Sequence, residues 1–148
     1  MDLEGLRTAV TDIIPWVKMS GISVDTFTEG HVKLYVPAAN HLNHVGIVYA
    51  GTHFMLMEVS GAALYLATYG IDKFLPINKG MSIRFLKPAA TDITCELRID
   101  LAEAREKLRP IEEKGKGEWI IDMSVTDTHG TIVSTSTCIY YLIPSLIV

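Results

Sequence analysis

One stretch decides the fold: residues 50–68 read AGTHFMLMEVSGAALYLAT and contain a single charged side chain, Glu58. Apolar residues occur all round a helical wheel drawn from this stretch, which is typical of a helix buried on most sides. Gly70 predicts where that helix ends. An earlier helix is predicted over residues 3–19, closed by Gly21, because its apolar positions have helical spacing. Because the helix over 50–68 is apolar on all sides, other elements must cover it.

Apolar and polar side chains alternate on both sides of this helix, which is typical of β-strands. Residues 22–36 predict two strands joined at a Glu29-Gly30 turn. Later strands are predicted over 81–86, 93–99, 119–126 and 132–142. Their connections are too short for crossover helices, except 102–116, whose mixed charges predict a solvated short helix and a loop. The order predicts an α+β fold, in which one antiparallel sheet wraps around a long central helix.

Composition limits the class of protein. The 148 residues fit a single domain over 1–148, and 49% hydrophobic with 20% charged residues exclude intrinsic disorder. A net charge of −4 and a pI near 5.7 argue against nucleic-acid binding. The mean hydropathy of +0.27 indicates apolar surface that an oligomer would cover. The two cysteines, Cys95 and Cys138, favour reduced buried thiols in a cytoplasmic protein.

Membrane association is not expected. The acidic start at residues 1–4 does not resemble a signal peptide, which is basic at this point. Two runs lack charged residues, 34–57 and 130–148, but both contain a proline and several polar residues. We interpret both runs as buried soluble elements, and an anchor formed by the second run is the less favoured alternative.

Glu58 is the first residue that could carry chemistry. A carboxylate that is buried, charged and unpaired costs several kcal/mol, so it requires a cation, a wet helix edge or a function. The residues before it favour a function. Asn43 and Gly46 lie in the loop that leads into the helix, and the small residues Ala50 and Gly51 begin it. Free N–H groups at a helix N-terminus favour a developing anion, and small residues let a substrate approach that backbone closely.

The stretch Asn43-His44-Val45-Gly46-Ile47-Val48-Tyr49-Ala50-Gly51, followed by Glu58, resembles hotdog-fold acyl-CoA thioesterases of the phenylacetyl-CoA thioesterase-like group. Their pattern is an Asn, a Gly three residues later, then His-Gly-Gly, and an acid eight residues past the first Gly of that pair. Residues 81–89, MSIRFLKPA, resemble the strand that follows the helix in that family. The order of elements also matches, so the resemblance covers nearly the whole chain. Two positions depart from the pattern: Tyr49 replaces a frequent His, and Ala50 replaces a Gly.

The resemblance implies a hotdog fold and an active site at the interface of a homodimer or tetramer. Glu58 would be the general base or the nucleophile, and Asn43 would position the water or the carbonyl group. The Ala50 and Gly51 amides would stabilise the oxyanion. An independent distance supports the shared site, because eight helical residues span about 12 Å and separate Glu58 from Ala50 of its own chain. Coenzyme A would be part of the substrate, and no other cofactor is expected.

Substrate contacts are also expected from Gly46 and Tyr49 in the loop. Four cations, Lys73, Lys79, Arg84 and Lys87, lie in a stretch without an acid between Asp72 and Asp92. They could bind the phosphates of coenzyme A. A solvated strand face explains these cations equally well. Of the four, Arg84 and Lys87 are our candidates for substrate binding.

The remaining candidate residues are weaker. His41 and His44 have a spacing seen at metal sites, but no carboxylate or cysteine lies at a matching position, so no metal is expected. His53 lies on the buried helix and is interpreted as a hydrogen-bonded core histidine. Ser60 and Ser134 lack the surrounding sequence of a nucleophile elbow.

The function predicted from the sequence is hydrolysis of an acyl-CoA or acyl-carrier thioester to the free acid and a thiol. Two alternatives remain open on the same fold. One is a non-catalytic module that binds acyl-CoA or lipid. The other, less favoured, is a hydratase or dehydratase, which would pair a histidine with an acid at a different spacing.

Overall fold

The structure is a computed structural model that describes residues 2–146. Its elements are α1 (Leu3–Asp12), α2 (Pro15–Met19), β1 (Ser23–Thr28), β2 (His31–Val36), α3 (Ala50–Tyr69), β3 (Phe74–Phe85), β4 (Ile93–Arg98), α4 (Leu101–Lys114), β5 (Gly117–Thr126) and β6 (Ile132–Pro144). Met1, Ile147 and Val148 lie outside the described residues. The structure therefore bears on the predictions for residues 1–4 and 130–148 only at residues 2–4 and 130–146.

The predicted α+β architecture is confirmed. The six described strands form one sheet in the order β1-β2-β4-β5-β6-β3, and all their pairings are antiparallel. The sheet wraps around α3, whose buried side chains belong to the hydrophobic core. The helix ends as predicted at Gly70, which has a φ of +72° and donates its N–H to the Leu66 carbonyl oxygen.

One stripe of α3 is not fully covered by the sheet. Exposed or half-buried positions fall four residues apart, which places them on one face of a helix. They are Ala50, Phe54, Glu58, Ala62 and Leu66. The rest of the helix is largely buried, so within residues 2–146 this stripe is the least covered side of α3.

The first helix is an error of the sequence analysis. The predicted helix over 3–19 is divided into α1 and α2 at Pro15. Ile14 is extended, with φ −96° and ψ 112°, because the proline ring disfavours a helical conformation in the residue before it. Proline then begins α2 favourably, since the first position of a helix needs no N–H partner.

Strand β3 begins at Phe74, well before its predicted start at residue 81. A bulge between Asn78 and Gly80 shifts the register against β6, so the alternation of apolar residues is interrupted. Pro76 is compatible with β3, because β3 is the last strand in the sheet order and an edge strand tolerates proline. The other strands start and end within two residues of their predicted bounds, whereas α4 takes up nearly all of 102–116, for which a short helix and a loop were predicted.

Candidate active site

The loop before α3 is held by its own asparagine. Asn43 Oδ1 accepts hydrogen bonds from the amides of Val45 and Ile47, at 3.0 and 3.3 Å. The Asn43 amide in turn donates to the Ile47 carbonyl oxygen at 2.7 Å, and Gly46 has a φ of +80° that favours glycine. This asparagine therefore organises the loop with its oxygen, which leaves Nδ2 as the side-chain atom that could face a ligand.

The N-terminus of α3 carries free amides. Tyr49 is the N-cap residue and supplies no side-chain hydrogen bond to the helix. The Thr52 amide donates to the Tyr49 carbonyl oxygen at 3.0 Å, whereas the Ala50 and Gly51 amides have no hydrogen-bond partner within residues 2–146. Two unpaired N–H groups at a helix start form a site where negative charge is stabilised.

Gly51 is small for a reason that the sequence did not reveal. The Tyr49 ring lies against it, and a Cβ atom at position 51 would overlap that ring. The absence of a side chain therefore leaves room for the Tyr49 ring. The Tyr49 side chain itself is 58% exposed.

A cavity of about 330 Å³ opens at this helix end. Its wall is largely apolar and also carries three groups that can form hydrogen bonds. It is lined by Asn43, Ile47, Val48, Ala50, His53, Phe85, Leu86, Lys87, Pro88 and Ala89. The structure thus places Lys87 beside Asn43 and Ala50, which the sequence analysis proposed as parts of one motif. The other predicted site residues, Gly46, Tyr49, Gly51, Glu58 and Arg84, do not line this cavity.

Glu58 lies two turns further along α3, on its incompletely covered stripe. Burial raises the pKa of its carboxyl group, and no ion pair within residues 2–146 offsets that effect. Tyr140 donates its hydroxyl hydrogen to the main-chain carbonyl oxygen of Glu58, so this hydrogen is not donated to the carboxylate. The ion-paired alternative for Glu58 is therefore not what the chain shows.

His53 is a hydrogen-bonded core histidine that also lies at the cavity. It is buried, as predicted, and its Nδ1 lies 2.8 Å from Ser134 Oγ on β6. It also lines the cavity beside Ala50. A position three residues after Ala50 lies on the same side of the helix, one turn on, and this spacing is the signal that could have placed His53 beside the cavity.

The four predicted cations do not converge. Lys73 pairs with Glu112 and Lys79 with Glu118, at 2.6 and 2.5 Å. Arg84 lines a separate groove of about 710 Å³ at the junction of β3–β6 with α4. Lys87 alone reaches the cavity at the N-terminus of α3.

His41, one of the two loop histidines, has a structural role. His41 Nδ1 lies 3.0 Å from Thr52 Oγ1, and its Nε2 lies 2.6 Å from the Ser20 carbonyl oxygen. These contacts connect the end of α2 to the first turn of α3. Within residues 2–146 no group of three or more potential metal ligands is found, and no helix has the length and apolar character needed to cross a membrane.

The arrangement of an antiparallel sheet around a central helix is shared with solved structures of proteins described as thioesterases. A Pseudomonas aeruginosa protein of unknown function, PA5026, described as a probable thioesterase, is 35% identical over 97% of both chains, with a TM-score of 0.89. The thioesterase HI1161 from Haemophilus influenzae is 15% identical, with a TM-score of 0.75 over 99% of this chain and 93% of that one. The resemblance to thioesterases is confirmed.

The chain belongs to the family described as "Domain of unknown function (DUF4442)", which matches residues 4–142. A further solved structure with the same fold is smu.793 from Streptococcus mutans UA159, bound to acetyl CoA. It is 18% identical, with a TM-score of 0.63 over 84% of this chain and 90% of that one. No match is found among the curated proteins.

Proposed function

We propose that the protein is a hotdog-fold thioester hydrolase, a single domain over residues 1–148 that acts on an acyl-CoA or acyl-carrier thioester. The observation that carries the proposal is the separation of two complementary groups on α3. Among the described residues no cation pairs with the Glu58 carboxylate, and the amides at the Ala50 end of the helix are unpaired. About 12 Å of helix lies between them, so one chain cannot bring both to one carbonyl group.

Two copies of the chain resolve this separation. If their α3 helices pack antiparallel about a two-fold axis through the incompletely covered stripe, Glu58 of one copy approaches Ala50 of the other. Phe54, which is 41% exposed between them, would then be buried. The proposed assembly is a homodimer, alone or within a tetramer, with two equivalent sites.

The reaction needs no metal or prosthetic group. Glu58 removes a proton from a water molecule as that water attacks the thioester carbon, or its carboxylate attacks that carbon directly and forms an anhydride that water then hydrolyses. In both routes the carbonyl oxygen becomes an oxyanion, and the Ala50 and Gly51 amides of the second copy stabilise it. The carbon–sulfur bond then breaks and the thiolate leaves. In the general-base route the proton held by Glu58 passes to the thiolate, and in the anhydride route the thiolate takes up a proton from solvent and water restores the carboxylate.

The comparisons support this class of reaction and a coenzyme A thioester as substrate, through relatives named as thioesterases and a fold neighbour bound to acetyl CoA. The cavity has an apolar wall for an acyl group, and Lys87 at its rim offers a charge for a phosphate. Two buried free cysteines, Cys95 and Cys138, fit a reducing compartment, and we propose that the protein is cytoplasmic.

Release of free thiol from a panel of acyl-CoAs tests the proposal directly. We expect hydrolysis of at least one member by the wild-type protein and its loss in Glu58→Gln. Binding of acyl-CoA without thiol release would contradict the proposal and identify a non-catalytic module. An absorbance change on an enoyl-CoA without thiol release would instead identify a hydratase.

A further inference from the structure

The cavity contains a buried imidazole that the proposed reaction does not use. His53 is 2% exposed, and its ring stands edge-on to Phe85, with centroids 5.4 Å apart and an interplanar angle of 80°. Ser134 Oγ on β6 lies 2.8 Å from its Nδ1. The ring is therefore fixed from two sides, within a wall that is otherwise mostly apolar.

The hydrogen bond to Ser134 decides which ring nitrogen carries the proton. Ser134 is fully buried, and the imidazole Nδ1 is the only hydrogen-bond partner of its hydroxyl within residues 2–146. A buried hydroxyl hydrogen without an acceptor is costly, so the hydroxyl donates to Nδ1 and the ring hydrogen resides on Nε2. Burial also lowers the pKa of His53, which keeps the ring neutral at neutral pH.

Nε2 then carries a hydrogen that the chain does not use. It has no hydrogen-bond partner within residues 2–146, and the residue lines the cavity next to Ala50, whose amide is also unpaired. Two neutral donors thus lie on the first turn of α3, beside one cavity. A ligand oxygen there would accept hydrogen bonds from both donors. Donors on an open surface would not need such a ligand, because water would satisfy them.

We propose that His53 is a further catalytic residue, whose neutral Nε2–H donates a hydrogen bond to the thioester carbonyl oxygen beside the Ala50 amide. Ser134 is the positioning residue that fixes the tautomer. No proton is transferred from His53: the carbonyl oxygen gains negative charge as the new carbon–oxygen bond forms, and loses it when the carbon–sulfur bond breaks. This inference rests on the proposed function for the identity of the carbonyl group.

The tautomer can be measured without any reaction. In ¹⁵N-labelled protein, we expect the His53 ring to show a protonated Nε2 and an unprotonated Nδ1. Dethia-acetyl-CoA, in which a methylene group replaces the sulfur, retains the carbonyl oxygen and cannot be hydrolysed as a thioester. Its addition should move the Nε2–H proton downfield. A ring protonated on Nδ1, or an Nε2–H signal that millimolar analogue leaves unchanged, would overturn the inference.

Two matched variants separate donation from packing. His53→Gln keeps an N–H donor near the position of Nε2, whereas His53→Leu fills similar space without one. We expect His53→Leu to lower kcat by about 10²- to 10³-fold, the usual loss for one oxyanion donor, and His53→Gln to retain most of the activity at a similar Tm. Equal losses in both variants, in protein that remains folded, would assign His53 to packing only.

Ser134 is tested in two backgrounds. Ser134→Ala should shift part of the His53 ring to the Nδ1–H tautomer and lower kcat, and it should have no further effect on kcat in the His53→Leu variant. An additive effect would make Ser134 structural. If the wild-type protein hydrolyses no acyl-CoA while the analogue still moves the Nε2–H signal, the proposed function fails and the carbonyl contact of His53 stands.

Discussion

The Tyr140 hydroxyl donates a hydrogen bond to the main-chain carbonyl oxygen of Glu58, at 2.5 Å, and so joins the middle of β6 to the middle of α3. Tyr140 is fully buried, and Gly61, one turn after Glu58, lies against its ring. The contact holds the backbone of Glu58 without engaging its carboxylate. The sheet thereby fixes the position of the Glu58 backbone, and Glu58 lies on the incompletely covered stripe of α3.

Gly61 is predicted to be intolerant of a side chain. A Cβ atom at this position would overlap the Tyr140 hydroxyl, so Gly61→Ala should lower the free energy of unfolding by about 1–3 kcal/mol. Thermal or denaturant unfolding measures the loss. Tyr140→Phe in the same chain removes the closest atom and should restore part of it. A Gly61→Ala protein as stable as wild type would contradict this packing.

Asn43 should show two separable effects. Asn43→Ala removes the acceptor for the Val45 and Ile47 amides and should destabilise the protein by about 1 kcal/mol as well as lower turnover. Asn43→Asp keeps the acceptor oxygen but loses the Nδ2 donor, so its Tm should remain near wild type while turnover falls. Comparison of Tm and kcat in both variants checks this, and full activity in Asn43→Asp would limit Asn43 to the loop.

Lys87 is predicted to bind a phosphate of coenzyme A. It lines the cavity, whereas Lys73 pairs with Glu112 away from it. Lys87→Ala should raise KM for an acyl-CoA several-fold with little change in kcat, and Lys73→Ala serves as the charge-matched control. The same acyl group on N-acetylcysteamine lacks the phosphates, so its KM should not respond to Lys87→Ala. An equal rise with both substrates would exclude a phosphate contact.

The sequence predicted α3 from a long apolar run and the antiparallel sheet from alternating apolar residues, because both patterns report burial. It missed the break at Pro15, because the helical spacing of apolar residues continues on both sides of the proline. It also missed the start of β3 at Phe74, because the bulge between Asn78 and Gly80 interrupts the alternation of apolar residues. Asn43 and Ala50 were placed by spacing along the loop and helix. The partnership of His53 with Ser134 was beyond reach, since the two are far apart in sequence and only the packing of α3 on β6 brings them together.

The exposed stripe of α3 predicts assembly. Phe54 is 41% exposed on this stripe, between Ala50 and Glu58. Sedimentation of the wild-type protein at micromolar concentration should show no 16.4 kDa species. Phe54→Lys should produce one and lower activity with it, while Ile132→Lys, at an exposed end of β6, should leave the assembly unchanged. A stable and active monomer would contradict the shared site.

Replacement of Glu58 is predicted to separate activity from stability. Glu58→Gln keeps the size of the side chain but removes its basic, nucleophilic oxygen. Turnover should therefore fall by roughly 10²- to 10⁴-fold, the scale for a positioned general base. Acyl-CoA binding should persist. Glu29→Gln, in the exposed β1–β2 turn, is the matched control and should leave kcat unchanged.

The stability of the same variant should depend on pH in a defined direction. Burial raises the pKa of Glu58 in the folded state, so the folded chain holds this proton more tightly than the unfolded chain. As the pH rises from the unfolded pKa through the raised folded pKa, the ionised carboxylate therefore costs stability, and above that window the cost is complete. Glu58→Gln removes this cost, so its Tm should equal or exceed that of wild type at neutral pH. The advantage should shrink as the pH falls towards the ordinary pKa of a glutamate. Thermal unfolding of both proteins across this range measures the difference in Tm. If the variant loses Tm relative to wild type as the pH rises from acidic to neutral, the surroundings stabilise the Glu58 carboxylate and the prediction is wrong.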